Sequence, residues 1–273
     1  MSSLPRQRFL PSVCRYLRHD RPALKPRHVL CCRDGSSGGQ PAVASDNFLD
    51  GQREAGHHSS IQRLELSMVP VRKPQHLGAL RDILSPYRYL LCVDLEATCD
   101  EDAKPGEPPR QLIVRREDME TIEIGLAVID LSSLKVVDQF QSFVRPTLHP
   151  VLTDFCRTLT TIKQSDVDAA PGYVRVAQML DAFLVDYPNS MWCSWGDYDF
   201  KQLQQDASRL NSRPMLDGMH HTNLKKWHWK VYDCRALGLQ PAVEMLGMEW
   251  KGTYHRGIDD ARNVAQVAIH MLD

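Results

Sequence analysis

Leu90-Leu-Cys-Val-Asp-Leu-Glu-Ala-Thr-Cys99 is the stretch that decides how the rest of this chain is read. A nearly continuous apolar run between charged segments predicts a strand covered on both faces. Two carboxylates, Asp94 and Glu96, interrupt the run, and side chains two apart on a strand leave from the same face. Like charges so placed repel, and burying them unpaired is costly. A divalent cation removes that conflict, because hard oxygen ligands suit magnesium or manganese. A strand end whose acids simply meet solvent is the plainer alternative, and it stays open at this point.

Downstream, residues 100–118 are polar and carry Pro105, Pro108 and Pro109, which predicts a loop. Residues 121–130 read as a second strand, Ser132-Ser133 as a turn, and residues 135–145 as a third strand with Val137, Phe140 and Phe143 in alternation. The three form an antiparallel meander. Short helical pieces follow around 152–156 and 163–168. Tyr173, Val176, Leu180, Phe183, Leu184 and Tyr187 then recur at helical spacing, and Pro188-Asn189 stops that helix. Residues 190–196 read as a short buried strand, with Phe200, Leu203, Ala207 and Leu210 lining the next helix. Residues 211–222 are assigned to a loop, 237–246 to a helix ended by Gly247, and 258–271 to a last helix. Three strands followed by alternating helix and strand predict an α/β fold, a mixed sheet with helices on its faces.

Upstream, a short helix over 77–84 leads into the first strand. Residues 1–67 show neither helical nor strand periodicity and contain Pro5, Pro11, Pro22, Pro26 and Ser36-Ser-Gly-Gly39, which predicts a disordered basic extension. The division expected is therefore 1–67, a lead-in over 68–87, and a main domain over 88–273. The first thirty residues carry seven Lys/Arg against one acid, either a transit peptide or upstream sequence outside the functional protein. The eight cysteines include no Cys-x-x-Cys pair, and Cys92 and Cys193 fall in core strands, which points to a reduced, cytoplasmic protein. No apolar run reaches membrane-spanning length, so no membrane partner is expected. The net charge of −1 hides an asymmetry, since residues 1–87 hold 13 Lys/Arg and 7 Asp/Glu while residues 88–273 hold 20 and 27. Any nucleic-acid affinity of the acidic part must come from a local patch.

Further acids complete the pattern. Asp197 and Asp199 compete at the start of the helix after the 190–196 strand. Asp197 is placed to cap that helix, while Asp199 shares a face with Leu203 and so points inward. In the last helix Asp259 lies with Asn263, Gln266 and His270 on the face expected to meet solvent. Asp260 lies with Val264, Val267 and Met271 on the buried side, where an acid needs a partner that a metal supplies. His255, five residues earlier, titrates near neutrality and suits proton removal from an attacking water. Two other features are weaker. His220-His221 with His228 lacks the spacing of a zinc site. Lys225-Lys-Trp-His-Trp-Lys-Val-Tyr232 reads either as a single-strand platform or as a packed Trp pair with solvated lysines, the reading favoured here.

Taken in order, Asp94-x-Glu96, Tyr198-Asp199 with Leu203, and His255 with Asp260 resemble the three motifs of the DEDDh (DnaQ-like) 3′–5′ exonucleases. Leu95-Glu-Ala-Thr-Cys-Asp100, Phe143-Val-Arg-Pro146, Leu152-Thr-Asp-Phe-Cys156, Leu159-Thr160 with Ile162, and His255-Arg-Gly-Ile-Asp-Asp260 are closer still to the Eri-type exoribonucleases. The resemblance covers about residues 88–273. It implies an RNase H-like fold with a five-stranded mixed sheet. It also implies two Mg2+ (or Mn2+) held by Asp94, Glu96, Asp199 and Asp260, with His255 as general base. The 3′-terminal nucleotide leaves as a 5′-monophosphate. Substrate contacts fall to backbone groups at Ala97 and Thr98, to Leu159 and Thr160, and to His255. The implied substrate is RNA, single-stranded or with a 3′ overhang. A DNA-directed exonuclease and a non-catalytic nucleic-acid-binding member are the rivals. One departure stands out: the family usually has Leu-Thr-Gly-Ile where this chain has Leu159-Thr-Thr-Ile162.

Overall fold

The structure is a computed structural model that describes residues 70–273 apart from 104, 105 and 109. The predicted extension and the first two residues of the lead-in therefore lie outside the described residues. In chain order the elements are α1 (Pro74–Leu84), β1 (Tyr89–Ala97), β2 (Thr121–Asp130), β3 (Lys135–Phe143), α2 (Asp154–Thr160), α3 (Gln164–Asp168), α4 (Tyr173–Leu184), β4 (Ser190–Ser194), α5 (Tyr198–Arg209), β5 (His221–Asn223), α6 (Leu224–Tyr232), α7 (Leu239–Met245) and α8 (Gly257–Leu272). A 3-10 turn over Arg116–Asp118 interrupts the loop after β1.

The five strands run in the order β3-β2-β1-β4-β5. The meander β1-β2-β3 is antiparallel, and β4 and β5 join β1 in parallel. Both faces of β1 are covered, as its apolar run requires. Leu90 and Cys92 pack with Val264, Ala268 and Met271 of α8, whereas Leu91, Val93 and Leu95 pack with Val176 and Leu180 of α4 and Leu203 of α5. Asp94 and Glu96 continue the Leu90–Cys92 face, so they point toward the start of α8.

α8 approaches that face through a glycine pair. Gly125 of β2 is the register partner of Asp94. A Cβ there would lie 2.1 Å from the backbone carbon of Gly257, the first residue of α8. No larger residue at 125 leaves room for this crossing, which brings the first turn of α8 onto the carboxylate end of β1.

Several local expectations are corrected. The 211–222 loop hides β5, whose three residues are too few for a period to show. The third strand ends at Phe143, and Arg145 instead bridges to Gly172. On α5, Phe200 stacks on His221 and Trp192 yet stays partly exposed, as does Leu210 at the C-cap, while Asp199, Gln202 and Asp206 are buried with Leu203 and Ala207. The inner side of this helix meets a polar strand edge, where Asp206 accepts from the Thr121 hydroxyl at 2.6 Å. Lys225–Tyr232 belongs to α6, but its tryptophans do not pack as a pair. Trp227 is half-buried and donates its Nε1–H to Thr222, while Trp229 is 49% exposed. Asn263, expected at the surface, is fully buried because its side chain fastens the segment before α8.

Candidate active site

Asp94, Glu96, Asp199, Asp260 and His255 gather at the C-terminal end of β1. The strand supplies the first two. β4, parallel to β1, ends at the same edge and feeds α5, so Asp199 in its first turn lies against β1 and accepts the Leu95 N–H at 3.1 Å. Asp197 occupies the N-cap of α5 as expected, but its side chain makes no capping bond; it accepts from Asn223 Nδ2 at 2.8 Å and Lys226 Nζ at 2.9 Å and so ties α5 to α6. Asp259 is also spent structurally, on the Thr253 N–H and on Arg262.

The electrostatics are those of an unbalanced anionic centre. Burial first, then the charges of Asp260, Glu123 and Asp199, pushes Glu96 up to about 9. Burial, with Asp199, Glu96 and Asp260 nearby, holds Asp94 well above the ordinary carboxylate range. Asp260 is raised to about 7, burial outweighing the backbone amides of His255 and Arg256 that pull the other way. Asp199 rises to about 6, again by burial, opposed by backbone donors and Ser194. Asp260 Oδ1 is buried and has no hydrogen-bond partner. Glu96, His255 and Asp260 each offer a ligand atom within 4.8 Å of the others, the group of that kind that converges among the described residues. Clustered hard oxygens, an orphaned carboxylate oxygen and excess negative charge fit divalent cations of the magnesium type. The three histidines considered for zinc make other contacts: His220 lies against the Tyr87 ring at 6.1 Å, His221 bonds Ser194 Oγ at 3.0 Å, and His228 is buried beside Trp195.

His255 is half-buried with its backbone at φ 58, a left-handed conformation that is uncommon for a non-glycine residue. Burial holds its imidazole below the ordinary value, so the ring is neutral and able to accept a proton at neutral pH. Of the residues expected to touch substrate, Leu159 is half-buried, while Ala97, Thr98 and Thr160 are buried. The Thr98 hydroxyl accepts the Glu120 N–H, and the Thr160 hydroxyl donates to the Cys156 carbonyl. Thr161 has φ 60 at the C-cap of α2. A glycine suits that backbone, which accounts physically for the family's usual residue there.

Two residues at this end have roles the sequence reading missed. Glu123, the register partner of Glu96, is fully buried. It accepts from Arg256 Nε at 3.0 Å, the Gly257 N–H at 3.2 Å and Gln141 Nε2 at 2.6 Å, which fixes the start of α8. A second carboxylate in Glu123-Ile-Gly125 was the available signal, two residues from the glycine that α8 crosses. Tyr198 stands 46% exposed beside Asp199, and its hydroxyl reaches Gln202 at 3.4 Å. Next to it a cleft of about 450 Å3 opens between α5 and the loop after β1, with Arg116, Lys201 and Gln205 in its walls.

Comparison with known proteins places this geometry. The 3′–5′ exonuclease eri1 of Schizosaccharomyces pombe is 28% identical over 211 residues, covering 67% of this chain and 68% of that protein. The 3′–5′ exoribonuclease 1 of Homo sapiens is 31% identical over 198 residues, covering 69% of this chain and 53% of that protein. The chain thus spans about half the length of the mammalian relatives it matches. Among solved structures, the nuclease domain of 3′hExo, a DEDDh family member bound to rAMP, superposes with a TM-score of 0.60 at 28% identity. That match covers 69% of this chain and 93% of the other. Residues 91–268, well over half of the sequence, match the exonuclease (RNase T) family, and the chain belongs to that family.

Proposed function

We propose that this chain is a metal-dependent 3′–5′ exoribonuclease that removes 3′-terminal nucleotides as 5′-monophosphates from single-stranded or overhanging RNA. The observation that carries the reading is the cluster of half-buried Asp94 with buried Glu96, Asp199 and Asp260, without enough donors to balance it. In this reading the four acids hold two Mg2+, with Mn2+ as a substitute. The ions, when bound, activate the attacking water and offset charge building on the phosphate. His255 receives the water's proton on a ring nitrogen, and its partly buried setting keeps that nitrogen unprotonated at neutral pH. Leu159, the Ala97–Thr98 backbone and Tyr198 border the space for the terminal nucleotide. Lys201 in the neighbouring cleft supplies a cation for the phosphates behind it, beside Arg116, which pairs with Asp102 in the same wall. RNA is favoured over DNA because relatives named exoribonucleases share the domain. A contact to the 2′-hydroxyl is what would enforce the choice.

The test is incubation of the protein with 5′-labelled RNA and DNA oligonucleotides of one sequence, with Mg2+ or with chelator. The expected result is a ladder shortening from the 3′ end of RNA in Mg2+ and intact substrate in chelator. Faster shortening of DNA supports the DNA-directed rival. Tight binding of intact RNA in Mg2+ supports the non-catalytic one.

A further inference from the structure

We propose that Tyr254 is a substrate-contacting residue whose ring forms the wall on which a nucleobase beside the scissile phosphodiester stacks. This rests on the nuclease reading above and adds a residue that reading does not use. Tyr254 immediately precedes His255, and the two ring centroids lie 4.2 Å apart. Trp250 meets the same ring in a T-shaped contact at 4.9 Å. Trp250 packs against the apolar cluster under α8, whereas Tyr254 remains 40% exposed. The inner ring therefore anchors and the outer ring is presented.

The segment that carries the pair is fastened to α8 rather than free to swing. Gln266 Nε2 donates to the Glu249 carbonyl at 3.2 Å. The fully buried side chain of Asn263 holds both backbone groups of Lys251, at 3.1 and 2.9 Å. Thr253 N–H donates to Asp259 at 2.8 Å. Gly252, at φ 86, passes so close that a Cβ would lie 2.2 Å from the Asp259 carboxyl carbon. These ties hold an aromatic face at a fixed place next to the group that accepts the proton. An exposed, rigidly presented ring is what base stacking uses, and stacking tolerates any base because every base has a π-face.

The experiment measures steady-state cleavage of a labelled single-stranded RNA by the wild type, Tyr254→Phe, Tyr254→Leu and Tyr254→Ala. Each is tested on intact RNA and on RNA with abasic residues at its last two positions. Tyr254→Ala and Tyr254→Leu are expected to raise KM roughly tenfold, about 1.4 kcal/mol, with kcat within about threefold and Tyr254→Phe close to wild type. The abasic substrate should weaken the wild type by a similar factor and the Leu variant hardly further. Tyr254→Leu keeps apolar volume against Trp250, so it reports on the ring face even where Tyr254→Ala does not fold. An unchanged KM with lowered kcat and a displaced acid limb of the pH profile would overturn the proposal, making Tyr254 a positioning residue for His255. Binding of the same RNAs by anisotropy in chelator keeps the two readings separate. A wild type that cleaves nothing defeats the nuclease reading, whereas equal RNA affinity of all four proteins defeats the Tyr254 assignment.

Discussion

Glu120, Glu123 and Asp206 are as deeply buried as Glu96, Asp199 and Asp260, yet the fold treats the two sets in opposite ways. Glu120 accepts from Thr147 N–H, Thr147 Oγ1, Leu148 N–H and His149 N–H, all between 2.8 and 3.0 Å. Glu123 is met by Arg256, Gln141 and the Gly257 N–H, and Asp206 by Thr121, Gln202 and Arg209. Each acid of this first set fastens one segment to another: the 147–149 loop to β2, α8 to β2, α5 to β2. In the second set Asp260 keeps an oxygen with no partner, and Glu96 faces mainly other negative charges. Burial is common to both, so burial does not mark the site. Unanswered charge does, because a stable fold leaves it only where something else will answer.

Neutralising one acid from each set is the direct way to break this contrast. Glu96→Gln keeps the shape but removes charge that the proposed ions require, so nuclease activity should fall by more than roughly 10³-fold. The metal-free protein should melt no lower than the wild type, since repulsion around Asp260 and Asp199 is relieved. Substantial cleavage by the purified variant, read from end-labelled RNA, would defeat the two-metal assignment. His255→Ala comes next, with turnover lower by on the order of 10²–10³-fold. In the wild type, kcat should fall with pH as the ring protonates, at a pH below the ordinary histidine value. Titration with Mn2+ should give similar affinity for this variant and the wild type. A loss of metal affinity as large as the loss of turnover would instead make His255 a ligand, which its nearness to Glu96 and Asp260 makes worth measuring.

The sequence exposed the second set more readily than the first. Asp94 and Glu96 interrupt a core strand, and Asp260 sits on the apolar side of a helix, so their oddity is local and periodicity reveals it. Glu123 also lies in an apolar run, but its partner Arg256 is 133 residues away, and nothing local says that the charge is met. Asn263 reads as a surface residue for the same reason. A polar residue on a helix reads as exposed until the segment it holds is known. β5 escapes because three residues carry no period, and the burial of Gln202 and Asp206 because the strand edge they meet is polar. Periodicity sees which side chains are unusual; tertiary contacts decide which of them are satisfied.

Glu123→Gln sharpens the contrast from the other side. Removing one partner of a buried pair costs about 3–5 kcal/mol. The Arg256 side chain is 22% exposed, and relief of repulsion on Glu96 offsets part of the loss, so about 2 kcal/mol is expected. That should lower the melting temperature by roughly 4–8 °C for a domain of this size. Activity at a temperature where the variant is folded should drop by less than about tenfold, because no proposed ligand is touched. Calorimetry and cleavage rates on one preparation give both numbers. A variant as stable as the wild type but inactive would move Glu123 from the satisfied set to the reactive one.

The last contrast is the pH dependence of the metal-free protein. Glu96 and Asp260 titrate at about 9 and about 7 in the fold, above their unfolded values, so the folded state binds more protons than the unfolded one. By linkage their contribution to stability is fully present below the unfolded carboxylate range and is lost as pH rises through the folded values. Histidines oppose this at lower pH. His221, His228, His255 and His270 all lie below their ordinary value in the fold, so they make the protein more stable as pH rises toward neutrality. A bare melting curve mixes the two trends. The difference between the wild type and Glu96→Gln cancels most of the histidine part, because all four rings are present in both. In chelator the wild type should therefore lose ground to Glu96→Gln steadily between about pH 6 and about pH 9. Saturating Mg2+ should remove that loss in the wild type, since binding to the charged form answers the repulsion. A difference that stays flat with pH would mean that Glu96 is already ionised and answered in the free protein, and the contrast between the two sets of acids would fail at its central residue.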